Sequence, residues 1–212
     1  MMKLEDKIDP KHTALIVIDI QKDFAAPDGI RGKKGGDLSL VEPMIEKLKV
    51  TIDAAKNAGI PVLYTQQIYD RSKLNNLQKE QYDLDSKVVM CDINSDGYEY
   101  YKIVPDRGML FTKYNYNVFS NADFKKCLED RGIKTLIITG MDTIFCVETA
   151  VRNGFDLGYK IVVADDLVAG NAKYIEMHNH TLKLVDKYFG VVVRSEEINS
   201  IWQSALTSPH KP

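Results

Sequence analysis

Cysteine is scarce in this sequence, and the three cysteines that occur are scattered along the chain. Cys91, Cys127 and Cys146 are odd in number, and no two of them are separated by two residues. This pattern argues against a disulfide framework or a paired-cysteine zinc site, and it is typical of a reducing compartment. Histidine is also rare, with four residues among 212. We therefore expect neither a structural metal nor a histidine-rich metal centre.

Charge of one sign and long apolar runs are absent as well. Lys and Arg number 28 and Asp and Glu 30, which gives a net charge of −2. A protein that neutralises nucleic-acid phosphates normally carries a basic excess. No apolar run approaches the ~18 residues of a membrane span, and the first residues lack the apolar core of a signal peptide. We expect a cytoplasmic protein with neither nucleic-acid nor membrane partners.

Short apolar runs alternate with helical patterns along the chain. With 44% apolar residues and a length of 212, the composition is that of one globular domain over 1–212. Runs without polar alternation indicate strands that are buried on both faces, as in a parallel sheet. They lie at 14–18, 60–65, 135–139, 160–164 and 190–193, with a short candidate at 109–112, and helices are expected at 41–58, 144–157, 172–188 and 196–205. This order predicts a three-layer α/β domain.

The stretch 66–108 interrupts this alternation. It is polar, charged and rich in tyrosine, with weak periodicity. A long segment of this kind in a compact domain is usually a functional lid or an oligomer contact, and a solvated surface excursion is the other explanation. We expect a lid or insertion near 66–108.

Three chemically active side chains follow predicted strands. Asp19 comes after the first strand, Lys113 after the short strand, and Cys146 after the strand at 135–139. Parallel strands place such residues on one edge of the sheet, where ligands bind. A helix start and a neighbouring lysine would both favour the thiolate of Cys146, and Asp19 could accept and return its proton. A buried cysteine that only packs and an aspartate that only caps a turn are the structural alternatives.

Three segments, in this order, resemble the motifs of the isochorismatase-like cysteine hydrolases. They are Asp19-x-Gln21-x-Asp23-Phe24, Lys113 followed by Tyr116 and Phe119, and Gly140-x-x-Thr143-x-x-Cys146. The resemblance extends over roughly residues 12 to 195. It implies a three-layer α/β/α sandwich with a six-stranded, mostly parallel, Rossmann-like sheet. It also implies hydrolysis of a small molecule without a cofactor, and we expect a homo-oligomer, either a dimer or a tetramer.

The resemblance also assigns roles to individual residues. It implies a catalytic triad of Asp19, Lys113 and Cys146, and a cis peptide bond between Met141 and Asp142. The backbone N–H groups of Asp142 and Cys146 would then form the oxyanion hole. The further candidates for substrate binding are Phe24, Gln66, Tyr116, Phe119, Thr143 and Phe145.

The absence of histidines after the second predicted strand narrows the substrate class. Metal-dependent nicotinamidases of this family hold their metal with histidines after the second strand, and this sequence has no histidine between His12 and His178. Gln66 and the segment 189–193 look more like the ureidoacrylate and biuret amidohydrolases. Gln66 could donate to and accept from a planar carbamoyl group. We therefore expect a metal-independent cysteine amidohydrolase acting on a small linear amide of the carbamoyl or ureido type.

Three other functions stay open. Isochorismatase-type vinyl ether hydrolysis would use the same residues on a dicarboxylate, which Arg31, Lys33 and Lys34 could bind if their loop folds inward. Nicotinamidase-type deamidation is the second. The third is a non-catalytic binding domain of the same fold, although such a domain has no need of an acid, a lysine and a thiol together.

Overall fold

A six-stranded sheet lies at the centre of the protein in a computed structural model that describes residues 3–84 and 89–207. Its strands run in the spatial order β3-β2-β1-β4-β5-β6, and every neighbouring pair is parallel. The strands are β1 Thr13–Ile18, β2 Val62–Gln67, β3 Leu110–Lys113, β4 Thr135–Met141, β5 Lys160–Ala169 and β6 Gly190–Val193. The predicted α/β class with a parallel sheet is confirmed.

Helices connect the strands and cover both faces of the sheet. The α-helices of the described residues are α1 Leu4–Lys7, α2 Lys22–Ala25, α3 Ile30–Lys33, α4 Val41–Asn57, α5 Asn76–Leu84, α6 Ala122–Asp130, α7 Glu148–Asp156, α8 Ile175–Leu184 and α9 Ser195–Thr207. Two π-helical turns adjoin them, Thr143–Val147 directly before α7 and Val185–Phe189 directly after α8. None of the helices in the described part of the chain is long and apolar enough to cross a membrane.

The central strand β1 supplies both halves of the hydrophobic core. Leu15 and Val17 pack on one face of the sheet with residues of α4 and α9, including the fully buried Trp202. Ile16 and Ile18 point to the opposite face, which is covered by α6 and α7. Successive side chains of a strand point to opposite faces, so the uninterrupted apolar run of β1 requires a helix layer on each side.

The strand order reverses beside β1, and this reversal positions the candidate site. The chain builds β2 and β3 on one side of β1 and then crosses to form β4 on the other side. Ligands of open α/β sheets bind beyond the carboxyl ends of the strands at such a switch point. Asp19 follows β1 and Cys146 follows β4, so the two residues lie on either side of the reversal.

The structure differs from the sequence expectation in β5 and in the predicted helix at 172–188. β5 continues to Ala169 through Asp166, whose buried carboxylate accepts hydrogen bonds from Lys47 and Ser195. These partners allow an acidic residue to sit inside a strand. The predicted helix is divided into a 3-10 turn, α8 and a π-helical turn.

The segment 66–108 connects β2 with β3 and contains α5. Within it, the hydroxyl of Tyr100 donates a hydrogen bond to the carbonyl oxygen of Thr65 at 2.8 Å, which attaches the segment to the sheet edge. Residues 85–88 of this segment lie outside the described residues. Its role as a lid or a subunit contact, and the single domain over 1–212, stay predictions.

Candidate active site

Asp19 and Lys113 meet at the carboxyl ends of their strands. Asp19 is the first residue after β1, is fully buried, and has a φ of 49°. This left-handed conformation is uncommon outside glycine, and aspartate is one of the few residues that adopt it readily. Lys113 is the last residue of β3, and its side chain is 1% exposed. Its Nζ lies 2.7 Å from Oδ2 of Asp19, so the two form a buried ion pair.

Lys113 also contacts the candidate nucleophile. Its Nζ lies 3.2 Å from Sγ of Cys146 and 2.8 Å from Oε1 of Gln67. The carbonyl oxygen of Asn115 also accepts from it, at 3.2 Å. The three protons of the ammonium group therefore have hydrogen-bond acceptors in addition to the carboxylate that balances its charge. Burial alone would lower the pKa of Lys113, but the Asp19 carboxylate and Cys146 outweigh it and raise the pKa. The lysine therefore stays charged in this buried position.

The second oxygen of Asp19 is also satisfied. Its Oδ1 accepts a hydrogen bond of 2.7 Å from the hydroxyl of Thr65, the fourth residue of β2. Parallel pairing of β1 with β2 brings these residues together, because Ile18 pairs with Thr65. The carboxylate is thus held between a hydroxyl on one side and Lys113 on the other.

Cys146 lies in the π-helical turn Thr143–Val147 and is 6% exposed. Burial raises the pKa of its thiol, and the nearby Asp19 carboxylate raises it further, while Lys113 opposes both effects without cancelling them. The thiol is therefore protonated at neutral pH. Lys113 favours the thiolate, as the sequence predicts, but the loss of solvent on burial outweighs its attraction. A base is needed to form the thiolate, and the Asp19 carboxylate lies near enough to the thiol to raise its pKa.

The end of β4 approaches β1 closely. Gly140 has a φ of 104°, and a Cβ atom at this position would lie 2.1 Å from the carbonyl oxygen of Ile18. The Met141–Asp142 peptide bond that follows is cis, as the family resemblance implies. The backbone N–H groups of Asp142, which follows β4, and of Cys146, in the π-helical turn, stay predicted as the oxyanion hole.

The side chain of Asp142 is bound by Arg31. Nη1 of Arg31 donates to Oδ1 at 2.7 Å, and Nη2 contacts Oδ2, so the contact is bidentate. Both side chains are nearly buried, and the guanidinium group also stacks on the ring of Phe24 at 5.4 Å from its centroid. Burial raises the pKa of Asp142, although Arg31 acts in the opposite direction. The pair joins α3 to the loop before Cys146.

A cavity of about 370 Å³ opens onto Cys146. Three of the predicted substrate-binding residues, Phe24, Tyr116 and Phe145, line it. The rings of Tyr116 and Phe145 stack at 5.8 Å, and both residues are about half exposed at its mouth. Aromatic walls of this kind fit a small planar substrate. Thr143 lies instead in an adjoining chamber of about 470 Å³.

Two predicted substrate-binding residues do not line either of these two spaces. The Gln66 side chain is buried, and its Nε2 donates to the carbonyl oxygen of Tyr98 at 2.9 Å. Phe119 is buried in the core, where its ring packs against Phe124 and Tyr159. Both residues have a structural role in this conformation, and neither reaches the cavity.

Gln67, which sequence reasoning missed, takes the place expected for Gln66. It lines the cavity, and its side-chain oxygen accepts from Lys113. Adjacent residues of a strand point to opposite faces, so an error of one position moves the side chain away from the site. The pairing of Gln67 with Lys113 at the ends of β2 and β3 is the signal that identifies it.

Among the described residues, no group of three or more His, Cys, Asp or Glu side chains is placed to hold a metal ion. His178 is held elsewhere: its Nδ1 lies 2.9 Å from the hydroxyl oxygen of Thr143.

Comparison with known proteins is consistent with this geometry. The family model described as Isochorismatase domain matches residues 13–197. The ureidoacrylate amidohydrolase RutB of Methylobacterium radiotolerans is 31% identical over 201 residues, which cover 87% of this chain and 77% of that protein. The RutB of Enterobacter sp. is also 31% identical, over 74% of this chain and 75% of that protein. A cysteine hydrolase from Pseudomonas syringae pv. phaseolicola superposes with a TM-score of 0.80 at 24% identity, covering 94% of this chain and 96% of that structure.

Proposed function

Because the chain belongs to the isochorismatase family of hydrolases, we propose that it is a metal-independent cysteine amidohydrolase acting on a small linear amide of the carbamoyl or ureido type. One observation carries the proposal: Nζ of Lys113 lies 2.7 Å from Oδ2 of Asp19 and 3.2 Å from Sγ of Cys146, beside a cavity with aromatic walls. The ureidoacrylate amidohydrolases with which the chain shares 31% identity support the substrate class.

Asp19 acts first as a base. It takes the proton of the Cys146 thiol as Sγ attacks the carbonyl carbon of the substrate, so that a carbon–sulfur bond forms and the carbonyl electron pair moves to oxygen. The backbone N–H groups of Asp142 and Cys146 receive the resulting oxyanion. Lys113 keeps its positive charge throughout and stabilises whichever neighbour is negative, first the carboxylate and then the thiolate as it forms.

The same carboxyl group completes the first half of the reaction. Protonated Asp19 gives its proton to the leaving nitrogen, the carbon–nitrogen bond breaks, and ammonia departs, which leaves a thioester on Cys146. Asp19 then accepts a proton from water as the water oxygen attacks the thioester. The carbon–sulfur bond breaks, the acid or carbamate is released, and the proton returns to the thiol.

The raised pKa of Cys146 fits this sequence of steps. A thiol that is protonated at rest depends on its adjacent base, which places the proton on Asp19 at the moment when a leaving amine needs one. A permanently ionised thiolate would leave Asp19 without a proton to donate. The proposed sequence of steps therefore suits substrates with a nitrogen leaving group.

Ammonia release from a panel of amides tests the proposal. The panel contains biuret, 3-ureidopropanoate, other N-carbamoyl amino acids and nicotinamide. We expect turnover of at least one carbamoyl or ureido compound, complete loss in Cys146→Ala, and retention in Cys127→Ala, because Cys127 is a half-exposed residue of α6 outside the cavity. Turnover of nicotinamide alone, or residual turnover in Cys146→Ala, would contradict the proposal.

A further inference from the structure

The cavity at Cys146 continues into a second chamber. The two spaces, of about 370 and 470 Å³, share the lining residues Arg31, Lys34 and Asp142. Cys146 lines only the first, and the second extends past Thr143 toward Tyr174 and His178. A substrate with its reactive carbonyl at Cys146 therefore has room for a second functional group in this chamber.

Within 3–84 and 89–207, two cations line both spaces, Arg31 and Lys34, but their charges are not equally available. Arg31 is paired in a bidentate contact with the nearly buried Asp142, so the charges of these two residues cancel locally. Lys34 is exposed and forms no ion pair with any residue of 3–84 or 89–207. Its ammonium group is thus the cation that a ligand in the second chamber can neutralise.

The histidine of the second chamber does not add a further charge. The hydroxyl of Thr143 donates to the carbonyl oxygen of Ala169 at 3.2 Å, so the hydroxyl oxygen accepts from Nδ1 of His178. Burial lowers the pKa of His178, which keeps the ring neutral at pH 7. Among the described residues that line the chamber, Lys34 therefore carries the single uncompensated positive charge at this pH.

Asn171 adds a directed hydrogen-bond donor. Its Oδ1 accepts from the backbone N–H groups of Asp37 and Lys173, at 3.0 and 3.2 Å. With the oxygen occupied, the side-chain group that Asn171 offers to the chamber is its NH₂. An ammonium group and an amide NH₂ in one chamber suit the two oxygens of a carboxylate.

We infer that the second chamber is the binding subsite for one carboxylate of the substrate, held by Lys34 and the Asn171 amide while a ureido carbonyl lies at Cys146. This assignment rests on the proposed function, and it specifies a monoanionic carbamoyl acid. One available cation matches one carboxylate, whereas a dicarboxylate would leave its second charge without a partner because Arg31 is already bound to Asp142.

A pair of substrates that differ only in charge tests the inference. 3-Ureidopropanoate carries the carboxylate, and 1-propylurea has a methyl group in its place. We expect the wild type to prefer 3-ureidopropanoate in kcat/KM by 30-fold or more, and Lys34→Gln to reduce that ratio by 10- to 100-fold, mainly through KM. The matched control is Lys33→Gln, an exposed lysine next in sequence that lines neither space and should leave the ratio unchanged.

Calorimetric binding to Cys146→Ala separates this inference from the proposed function. If no ureido compound is turned over, the proposed function fails, and weaker binding of 3-ureidopropanoate in Cys146→Ala/Lys34→Gln still supports the carboxylate subsite. Equal binding of 3-ureidopropanoate in these two variants would overturn the subsite. Two kinetic results would also overturn it: equal kcat/KM of the wild type for 3-ureidopropanoate and 1-propylurea, or a ratio of these two values that Lys34→Gln leaves unchanged.

Discussion

Arg31 binds the carboxylate of Asp142 with both terminal nitrogens of its guanidinium group, across 111 residues of sequence. The contact connects the short helix α3 with the loop that leads to Cys146. Asp142 also neutralises the charge of Arg31, so Lys34 is the cation available to a ligand among the described residues that line both spaces. One ion pair therefore contributes both to the position of the proposed oxyanion loop and to the charge of the substrate cavity.

Removal of one partner of this pair should destabilise the protein. Arg31→Met leaves the buried Asp142 carboxylate without a partner, and we expect a loss of about 3 kcal/mol in the free energy of unfolding. Arg31→Met/Asp142→Asn removes both charges and should recover at least about 1 kcal/mol of that loss. Urea denaturation of the four proteins in this cycle measures the coupling. Additive effects of the two substitutions would show that the contact has no energetic role.

A methyl group at Gly140 should have a much larger effect than one at Gly158. Both residues have positive φ, but a Cβ at Gly140 would meet the Ile18 carbonyl at 2.1 Å, whereas a Cβ at Gly158 would meet nothing within 4 Å. We expect Gly158→Ala to cost about 1 kcal/mol from its backbone conformation alone. Gly140→Ala should cost about 3 kcal/mol or more. Thermal unfolding of both variants tests this difference, and similar melting temperatures would contradict the close approach of β4 to β1.

Gln67 and Gln66 should respond differently to substitution. Gln67→Leu removes one acceptor of the Lys113 ammonium group, and we expect kcat to fall about 10-fold, because a hydrogen bond to a charged group is worth about 1.5–3 kcal/mol. Gln66→Leu breaks the contact with the Tyr98 carbonyl and should mainly lower the melting temperature. Steady-state kinetics and thermal unfolding of the two variants measure these effects. A larger loss of kcat in Gln66→Leu would return the substrate-binding role to Gln66.

Prolonged chelation should leave activity unchanged. The described residues place no group of three metal-ligating side chains together, and the proposed chemistry uses Asp19 and Lys113 where a metal enzyme would use an ion. The measurement is ammonia release before and after dialysis against EDTA and 1,10-phenanthroline, with metal content determined in parallel. Loss of activity that zinc, iron or manganese restores would contradict a metal-independent reaction.

Most of the fold, and the placement of Asp19, Lys113 and Cys146 at one edge of the sheet, could be predicted because the signal for each is local. A run of apolar residues identifies a buried parallel strand, and the residue after it lies on the ligand-binding edge. Asp19, Lys113 and Cys146 all follow such runs. No distance between them is needed for this argument, since parallel strands place their carboxyl ends together.

The features that sequence reasoning missed depend on contacts between distant residues or on single positions. The pairing of Arg31 with Asp142 has no local signature. Gln66 and Gln67 differ only in which way they point, which depends on the exact register of β2. The protonation of Cys146 depends on how completely the fold excludes water, and a cysteine at a helix start has the same sequence signature whether it is buried or exposed.

The pH dependence of Cys146 alkylation by iodoacetamide, in the wild type, Asp19→Asn and Lys113→Met, tests the central claim most directly. Burial and Asp19 raise the pKa of the thiol and Lys113 lowers it. Wild-type alkylation should therefore rise only well above pH 8.5, the ordinary value for cysteine. Asp19→Asn should shift the profile to lower pH and Lys113→Met to higher pH, and amide hydrolysis in Asp19→Asn should nevertheless fall by about 10³-fold. Identical profiles in the three proteins would contradict the account, because they would show that neither Asp19 nor Lys113 affects the pKa of the Cys146 thiol.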